Sequence, residues 1–202
     1  MAVSKVTICN MGLAKLGAKR IASLDEETEN AVLCNIHYEQ VVDEVLSSAD
    51  WGCVTWRQSL AQLASTDENY LIDDDNAEYE YQYALPTEPY CLRVIDVPGL
   101  PEADYEIESR YLMYNDDSVV IRYVKRELDP TKYDPLLTKA IAYRLAAELA
   151  IDITGKAGLH GDMIVLYEQQ LSRAANMDAK ANQSKQPDHE DSGKAWTGVG
   201  RG

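Results

Sequence analysis

The chain runs to 202 residues, enough to bury a substantial core as one domain or as one domain with an insertion. Apolar residues make up 46% and charged residues 26%, both ordinary for a globular protein, but the formal net charge is −15. That excess of carboxylates excludes a protein that grips nucleic acid by its phosphates, because such a grip needs Lys and Arg to displace counterions. It suits solubility, or a surface that lets polyanions pass without sticking.

No run approaches the roughly 20 apolar residues of a membrane helix. Lys5, Asn10 and Lys15 interrupt the stretch from Val3 to Leu16, so the basic-then-apolar order of a signal segment is missing. The expectation is a chain made and kept in a cytoplasm. Cys9, Cys34, Cys53 and Cys91 stand singly, without a CxxC pair, and read as reduced, partly buried thiols.

In chain order, Val6, Cys9, Leu13 and Leu16 fall on one face of a first helix, with Ser4 as N-cap and Gly17 as stop. That helix is basic. The following segment is acidic, and Ser23 with Glu26 has the form of a capping box. A second helix is predicted from about Glu27 to Ala49, its apolar stripe formed by Ala31, Cys34, Tyr38, Val41 or Val42, and Val45. Residues 54–64 suit either a short helix or a strand. Asp67 to Glu78 is an acidic loop.

Tyr79, Tyr81, Tyr83 and Leu85 then alternate with polar or small residues, the period of a strand with one packed face. Cys91 to Val97 is a second apolar run. Tyr105 to Ile107, Tyr111 to Tyr114 and Val119 to Val124 look like a meander, with Asn115 to Ser118 as its clearest turn. A third helix is announced by Asp134 as N-cap and Pro135 at its first position. Leu137, Ile141, Leu145 and Leu149 form its face, and Thr154-Gly155 ends it. Gly158 and Gly161 keep the link short to a fourth helix, about Asp162 to Ala181, which should lie antiparallel.

The predicted fold is therefore α+β. Helix pairs in residues 1–50 and 130–181 make a four-helix body. Residues 51–129 are an inserted antiparallel β-rich middle, and residues 182–202 an extended tail too polar to order alone.

The chemistry-bearing motifs are weak. Gly198-Val199-Gly200-Arg201-Gly202 has no strand before it and no helix after it, so it is no phosphate loop. Asp73-Asp74-Asp75-Asn76 fails the calcium-loop pattern, since Ala77 and Glu78 occupy the fifth and sixth positions. His37, His160 and His189 are far apart, and no GxSxG elbow occurs. The sequence assigns no catalytic residue, no metal and no cofactor. Its 13 Tyr against no Phe are a different matter, because Tyr offers apolar area with a hydroxyl that tolerates partial wetness. The cluster in the middle is either a core face or a contact surface. Trp196 is either a chance aromatic or an anchor for a partner.

The order of segments is itself informative. Ile8-Cys9-Asn10-Met11-Gly12-Leu13-Ala14-Lys15-Leu16-Gly17-Ala18 leads through Ile21-Ala22-Ser23-Leu24 to Glu29-Asn30-Ala31. Asp43-Glu44-Val45-Leu46 precedes Trp51, and Tyr83-Ala84-Leu85-Pro86 precedes Cys91-Leu92-Arg93-Val94. Ile121-Arg122-Tyr123-Val124 comes before Tyr133-Asp134-Pro135-Leu136 and Leu145-Ala146-Ala147-Glu148-Leu149-Ala150. Over about residues 5–180 this ordered set resembles the tail tubular protein A family, the head-to-tail adaptors of short-tailed bacteriophages.

The resemblance implies a virion protein without an active site. It would form a ring, usually of twelve copies, between the portal protein and the tail nozzle, with DNA passing through the channel without specific binding and no membrane involved. It also implies a tail that orders on docking. The candidate partner-binding residues are Trp196 and Arg201 in the tail, Tyr79, Tyr81 and Tyr83 in the middle, and Lys15 and Lys19 by the first helix. Two other classes remain open: a host-type protein-interaction scaffold, and a metal-dependent small hydrolase or nuclease using the carboxylates from Asp73 to Glu78.

Overall fold

The computed structural model describes residues 3–72 and 78–183. Four α-helices and seven strands occur among them. Helix α1 spans Lys5–Lys15, with the Ser4 Oγ accepting from the Thr7 amide at 3.1 Å. Gly17 ends it at φ +69°, a conformation open to glycine, while the Ala18 amide reaches back to the Leu13 carbonyl at 3.0 Å. Helix α2 spans Glu29–Ser47 and starts later than predicted. Ser23 and Glu26 do meet, but they close a separate turn. The Glu26 carboxylate accepts from the Ala22 amide at 2.6 Å and the Ser23 amide at 3.0 Å. The N-cap falls instead to Thr28, whose hydroxyl accepts from Ala31. The link between α1 and α2 is clasped by Asn10, which bonds both the amide and the carbonyl of Ile21 at 2.8 Å.

Two strands follow, β1 over Thr55–Ser59 and β2 over Ala61–Gln62, then β3 over Tyr81–Ala84 and β4 over Cys91–Asp96. Next come β5 over Glu106–Glu108, β6 over Tyr111–Tyr114 and β7 over Val120–Lys125. Helix α3 spans Pro135–Thr154, its start held by the Asp134 carboxylate on the amides of Leu136 and Leu137 at 2.7 and 3.0 Å. Gly155 ends it at φ +66°. Helix α4 spans Ala157–Gln183, longer at both ends than the sequence suggested. Gly158 and Gly161 lie within its first turns. Packing outweighs the low helix propensity of glycine here: Met163 is buried with Leu159 against Ala146 and Ala147, and the His160 ring bonds the Ala147 carbonyl at 2.8 Å. At the other end, Asn182 and Gln183 continue the helix rather than opening the tail.

Helix α3 is the hub. Leu137, Ile141, Leu145 and Leu149 are fully buried, and so are Ala140, Ala142, Ala146, Ala147 and Ala150 on its other sides. A helix apolar nearly all round must be surrounded, and α1, α2 and α4 surround it. Its alanines let the neighbours come close.

The strands form two antiparallel sheets, ordered β1-β7-β4 and β2-β3-β6-β5. The predicted meander breaks here. Strands β5 and β6 pair as a hairpin, but β7 joins the other sheet. The Tyr83 hydroxyl donates to the Asp116 carbonyl and pins the chain where it changes sheet. Within residues 54–64, Thr55–Ser59 and Ala61–Gln62 are strand, interrupted at Leu60, so that β1 pairs with β7 and β2 with β3. Leu60, Tyr83, Leu85, Leu112, Ile121 and Tyr123 fill the core between the sheets. Val124, Leu92 and Ile95 point to the opposite side and pack on the helical core. The layers thus run helices, sheet, sheet.

The middle strand β3 is covered on both faces, contrary to the alternation of one packed face. Gln82 is fully buried; its Oε1 accepts from the Leu71 amide at 2.7 Å and its Nε2 donates to the Asn69 carbonyl at 2.9 Å. The β module is tied to α2 by two arginines. Arg93 donates to the Ser47 carbonyl at 3.0 Å and pairs with Asp50, placing positive charge at the C-terminus of α2, where the helix dipole favours it. The Arg126 Nε donates to both Asp43 oxygens at 2.9 Å, and its Nη2 to Glu39 at 3.1 Å. Trp51 is buried at this junction, its indole N–H on the Val45 carbonyl at 2.9 Å.

Candidate contact surfaces

The residues singled out in the sequence do not form one patch. Tyr83 is a core residue, 1% exposed, with its hydroxyl spent on Asp116. Tyr81 and Tyr79 are half-buried. Tyr81 lies directly across from Tyr114 on β6. Desolvation, then the carboxylates of Glu78, Glu106 and Asp104, push the Tyr79 phenol up. Tyr114 is raised by desolvation and by Asp116 and Asp104. Tyr79 and Tyr114 therefore sit in the negative field of the β5 edge.

Among the described residues, that edge is the densest exposed run of acid in the β module. Glu102, Asp104, Glu106 and Glu108 alternate along the chain, all exposed. None of them joins an ion pair among the described residues.

Lys15 does not reach outward. Its Nζ stands 3.5 Å from the centroid of the Tyr143 ring, joining α1 to α3 within the chain. Lys5 pairs with Glu39 at 3.3 Å, so part of the charge opposition between the first two helices is satisfied internally. Lys19 is exposed just beyond α1, and its backbone carbonyl accepts from Asn30 at 2.9 Å. Trp196 and Arg201 lie outside the described residues, as do His189 and the Asp73-to-Ala77 part of the acidic loop.

Sequence reasoning missed the edge of β1. Trp56 is 48% exposed and Val120 on β7 is 47% exposed. Arg57 lies across from Arg122. Like charges opposite each other across two strands repel. Arg122 is offset by Asp96, which accepts from its Nε at 3.0 Å and from its Nη2. Arg57 joins no ion pair among the described residues. The one signal in sequence was an acid-free Thr-Trp-Arg-Gln-Ser run in an acidic chain. Its meaning depends on strand register, which no local pattern fixes.

The titratable groups inside are built for structure. The thiols of Cys9 and Cys34, scattered in sequence, meet between α1 and α2. The hydrogen bond to Cys34 and then burial push the Cys9 thiol far up. Burial and Asp134 raise Cys53 to about 11, and burial raises Cys91 to about 11. Cys34, the partner of Cys9 in that pair, is lowered by the same hydrogen bond; Cys9, Cys53 and Cys91, held protonated, are poor nucleophiles. Among the described residues no group of three or more His, Cys, Asp or Glu is placed to hold a metal ion. No helix among them is long and apolar enough to cross a membrane. No family model matches this chain, and no curated protein matches it.

Proposed function

We propose that this chain is a structural virion protein, a head-to-tail adaptor that forms a ring between the portal protein and the tail nozzle and continues the DNA channel. What supports the reading most is where the segments that carry the resemblance lie. Asn10 clasps the first interhelical link, and Gly12 touches α3. Asp134 and Pro135 start α3, and the segment from Leu145 to Ala150 forms its buried centre. Trp51 locks the body to the β module. The resembling residues are thus those that set the helical hub and its junction, so the likeness concerns architecture. The net charge of −15 agrees with a channel wall that repels DNA.

The test is direct. The chain is mixed with the portal protein of its own phage and imaged in negative stain. Closed rings seated on the portal are expected. A small complex of unequal partners would instead favour the scaffold alternative. Magnesium-dependent cleavage of DNA that is lost in Asp73→Ala with Asp75→Ala would overturn the adaptor reading in favour of an enzyme.

A further inference from the structure

We propose that Cys9 of α1 and Cys34 of α2 form a disulfide when the protein meets hydrogen peroxide, stapling the two helices together inside the hub. The proposal goes beyond the ring reading and does not depend on it. Its geometry starts from the antiparallel register of the two helices. At the start of α1, the Lys5 ammonium pairs with Glu39 at 3.3 Å and stands 5.6 Å from the centroid of the Tyr38 ring. One turn further along α1 is Cys9, and one turn back along α2 from Tyr38 is Cys34. Residues four apart share a helix face, so the contact of Lys5 with Tyr38 brings Cys9 against Cys34. On the other side the link between the helices is held at both ends. Asn10 bonds the amide and the carbonyl of Ile21 at 2.8 Å, and Asn30 donates to the Lys19 carbonyl at 2.9 Å. The two cysteines thus lie between a side-chain pin and a clasped link. Both are fully buried in one core cluster with Ile8, Leu13, Ala31 and Tyr38, and their thiols are hydrogen-bonded to each other.

The two sulfurs have unequal roles. Their hydrogen bond lowers Cys34 and holds the proton on Cys9. Cys34 is therefore the sulfur that becomes a thiolate and attacks first, since the thiolate is the nucleophile. Peroxide is scarcely larger than water, so brief local opening admits it to a packed core. The Cys34 sulfur bonds one peroxide oxygen and the O–O bond breaks. The leaving hydroxide takes up the proton that Cys34 gave and becomes water, and Cys34 is left as a sulfenic acid. The negative sulfur that held the proton on Cys9 is then gone. The Cys9 sulfur attacks the Cys34 sulfur and displaces hydroxide, which the Cys9 proton turns into a second water. Two thiols and one peroxide become one disulfide and two waters, and the sulfurs lose two electrons to the oxygens. Cys91 lies in the separate core between the sheets and Cys53 faces Asp134 and Asp178, so both are left out of the pair. The bond closes a loop of about 25 residues and takes freedom from the unfolded chain. In a reducing compartment the thiols stay free, and in an oxidising one the staple closes.

The experiment treats the folded full chain with hydrogen peroxide, blocks any remaining thiols, and digests it without reduction by trypsin and chymotrypsin. Cleavage after Tyr38 separates Cys34 from Cys53, so the parent chain can be mapped directly. A peptide pair joined through Cys9 and Cys34 is expected, lighter by two hydrogens than the two reduced peptides together and absent after reduction. The thermal midpoint is read on the oxidised sample before and after dithiothreitol, which opens a disulfide and leaves methionine sulfoxide as it is. It should be higher before reduction by about 5–10 °C. Cys9→Ala and Cys34→Ala should each show neither the joined pair nor the reversible rise. Should both variants fail to fold, the mapping and midpoint of the parent still decide. Free thiols at Cys9 and Cys34 after peroxide overturn the proposal, as does a sulfinic acid at Cys34 without the link. A linked chain whose midpoint does not fall on reduction overturns the staple as well. Ring formation on the portal is read separately and bears on the adaptor reading alone.

Discussion

Gly12 of α1 stands so close to Ala142 of α3 that a methyl group added to it would lie 3.2 Å from the Ala142 carbonyl oxygen. The same methyl would lie 3.6 Å from the Ala146 amide nitrogen. Both neighbours are backbone atoms in the hub helix and cannot turn aside. Gly12→Ala therefore drives α1 away from α3, against its own gain in helix propensity. A net loss of about 1–3 kcal/mol is expected in urea unfolding. Ala146→Gly adds no atom but removes a buried methyl beside Met163, so it should cost about 1 kcal/mol from helix propensity and about as much again from lost burial, without moving α1. Equal stability of Gly12→Ala and the parent would mean that the two helices are not held this tightly.

Gln82 holds the 63–72 segment onto the far face of β3 through one donor and one acceptor. Replacing it with Leu leaves the Leu71 amide and the Asn69 carbonyl without their protein partner. About 1–3 kcal/mol of stability should go. The Leu71 amide should also exchange with solvent faster than the amides of β6. Unchanged protection at Leu71 would show that the segment is held by something other than Gln82.

Acid should loosen the seam between β7 and α3. Burial alone would raise the Glu127 carboxyl, but the Lys125 ammonium at 2.6 Å and the Asp129 amide outweigh it and hold the group below its ordinary 4.5. Asp129 is lowered by the hydroxyl and amide of Thr131. A depressed carboxyl contributes stability that is complete above the unfolded value and is lost as pH falls through the folded one. Thermal midpoints of the parent should drop steadily from about pH 4.5 downward. Glu127→Gln should start lower at neutral pH and drop less over that window. Parallel curves for the two proteins would remove Glu127 from the acid response.

Local chemistry was legible where one or two residues decide. Ser4, Gly17, Asp134, Pro135 and Gly155 fix the ends of α1 and the bounds of α3 without help from distant parts. The sheet change of β7 was not legible, because it depends on the break between β1 and β2 at Leu60 and on Tyr83 meeting Asp116 from 33 residues away. Capping chemistry misled at Ser23 and Glu26, where the motif was real but closed a turn instead of a helix. Tyr83 was correctly placed on a packed face, yet its burial removed it from the contact surface. The exposed pairing of Arg57 with Arg122 follows from strand register alone, so a basic edge in an acidic protein stayed hidden in the sequence.

Lys15 and Lys19 looked alike in sequence and should behave differently. Lys15 lies over the Tyr143 ring, and a cation over an aromatic face at a partly exposed site is worth about 0.5–1 kcal/mol. Lys15→Ala should lower stability by about that amount. Lys19→Ala should leave the unfolding midpoint unchanged, since its side chain is exposed. If Lys15→Ala were silent, the lysine would be free for a partner after all.

The tail offers the sharpest test of how the proposed ring meets the portal. Helix α4 ends at Gln183, so a cut after that residue removes the tail without touching the hub or the β module. The removed piece carries Trp196 and Arg201 in a polar, glycine-rich setting. Truncation at Gln183 should leave the unfolding free energy within about 0.5 kcal/mol of the parent, as surface changes do. Binding to the portal should be lost, and Trp196→Ala in the full chain should weaken it by about tenfold or more, as removal of an aromatic anchor does. A truncated chain that still docks would assign the portal contact to the folded body and leave the tail without that role.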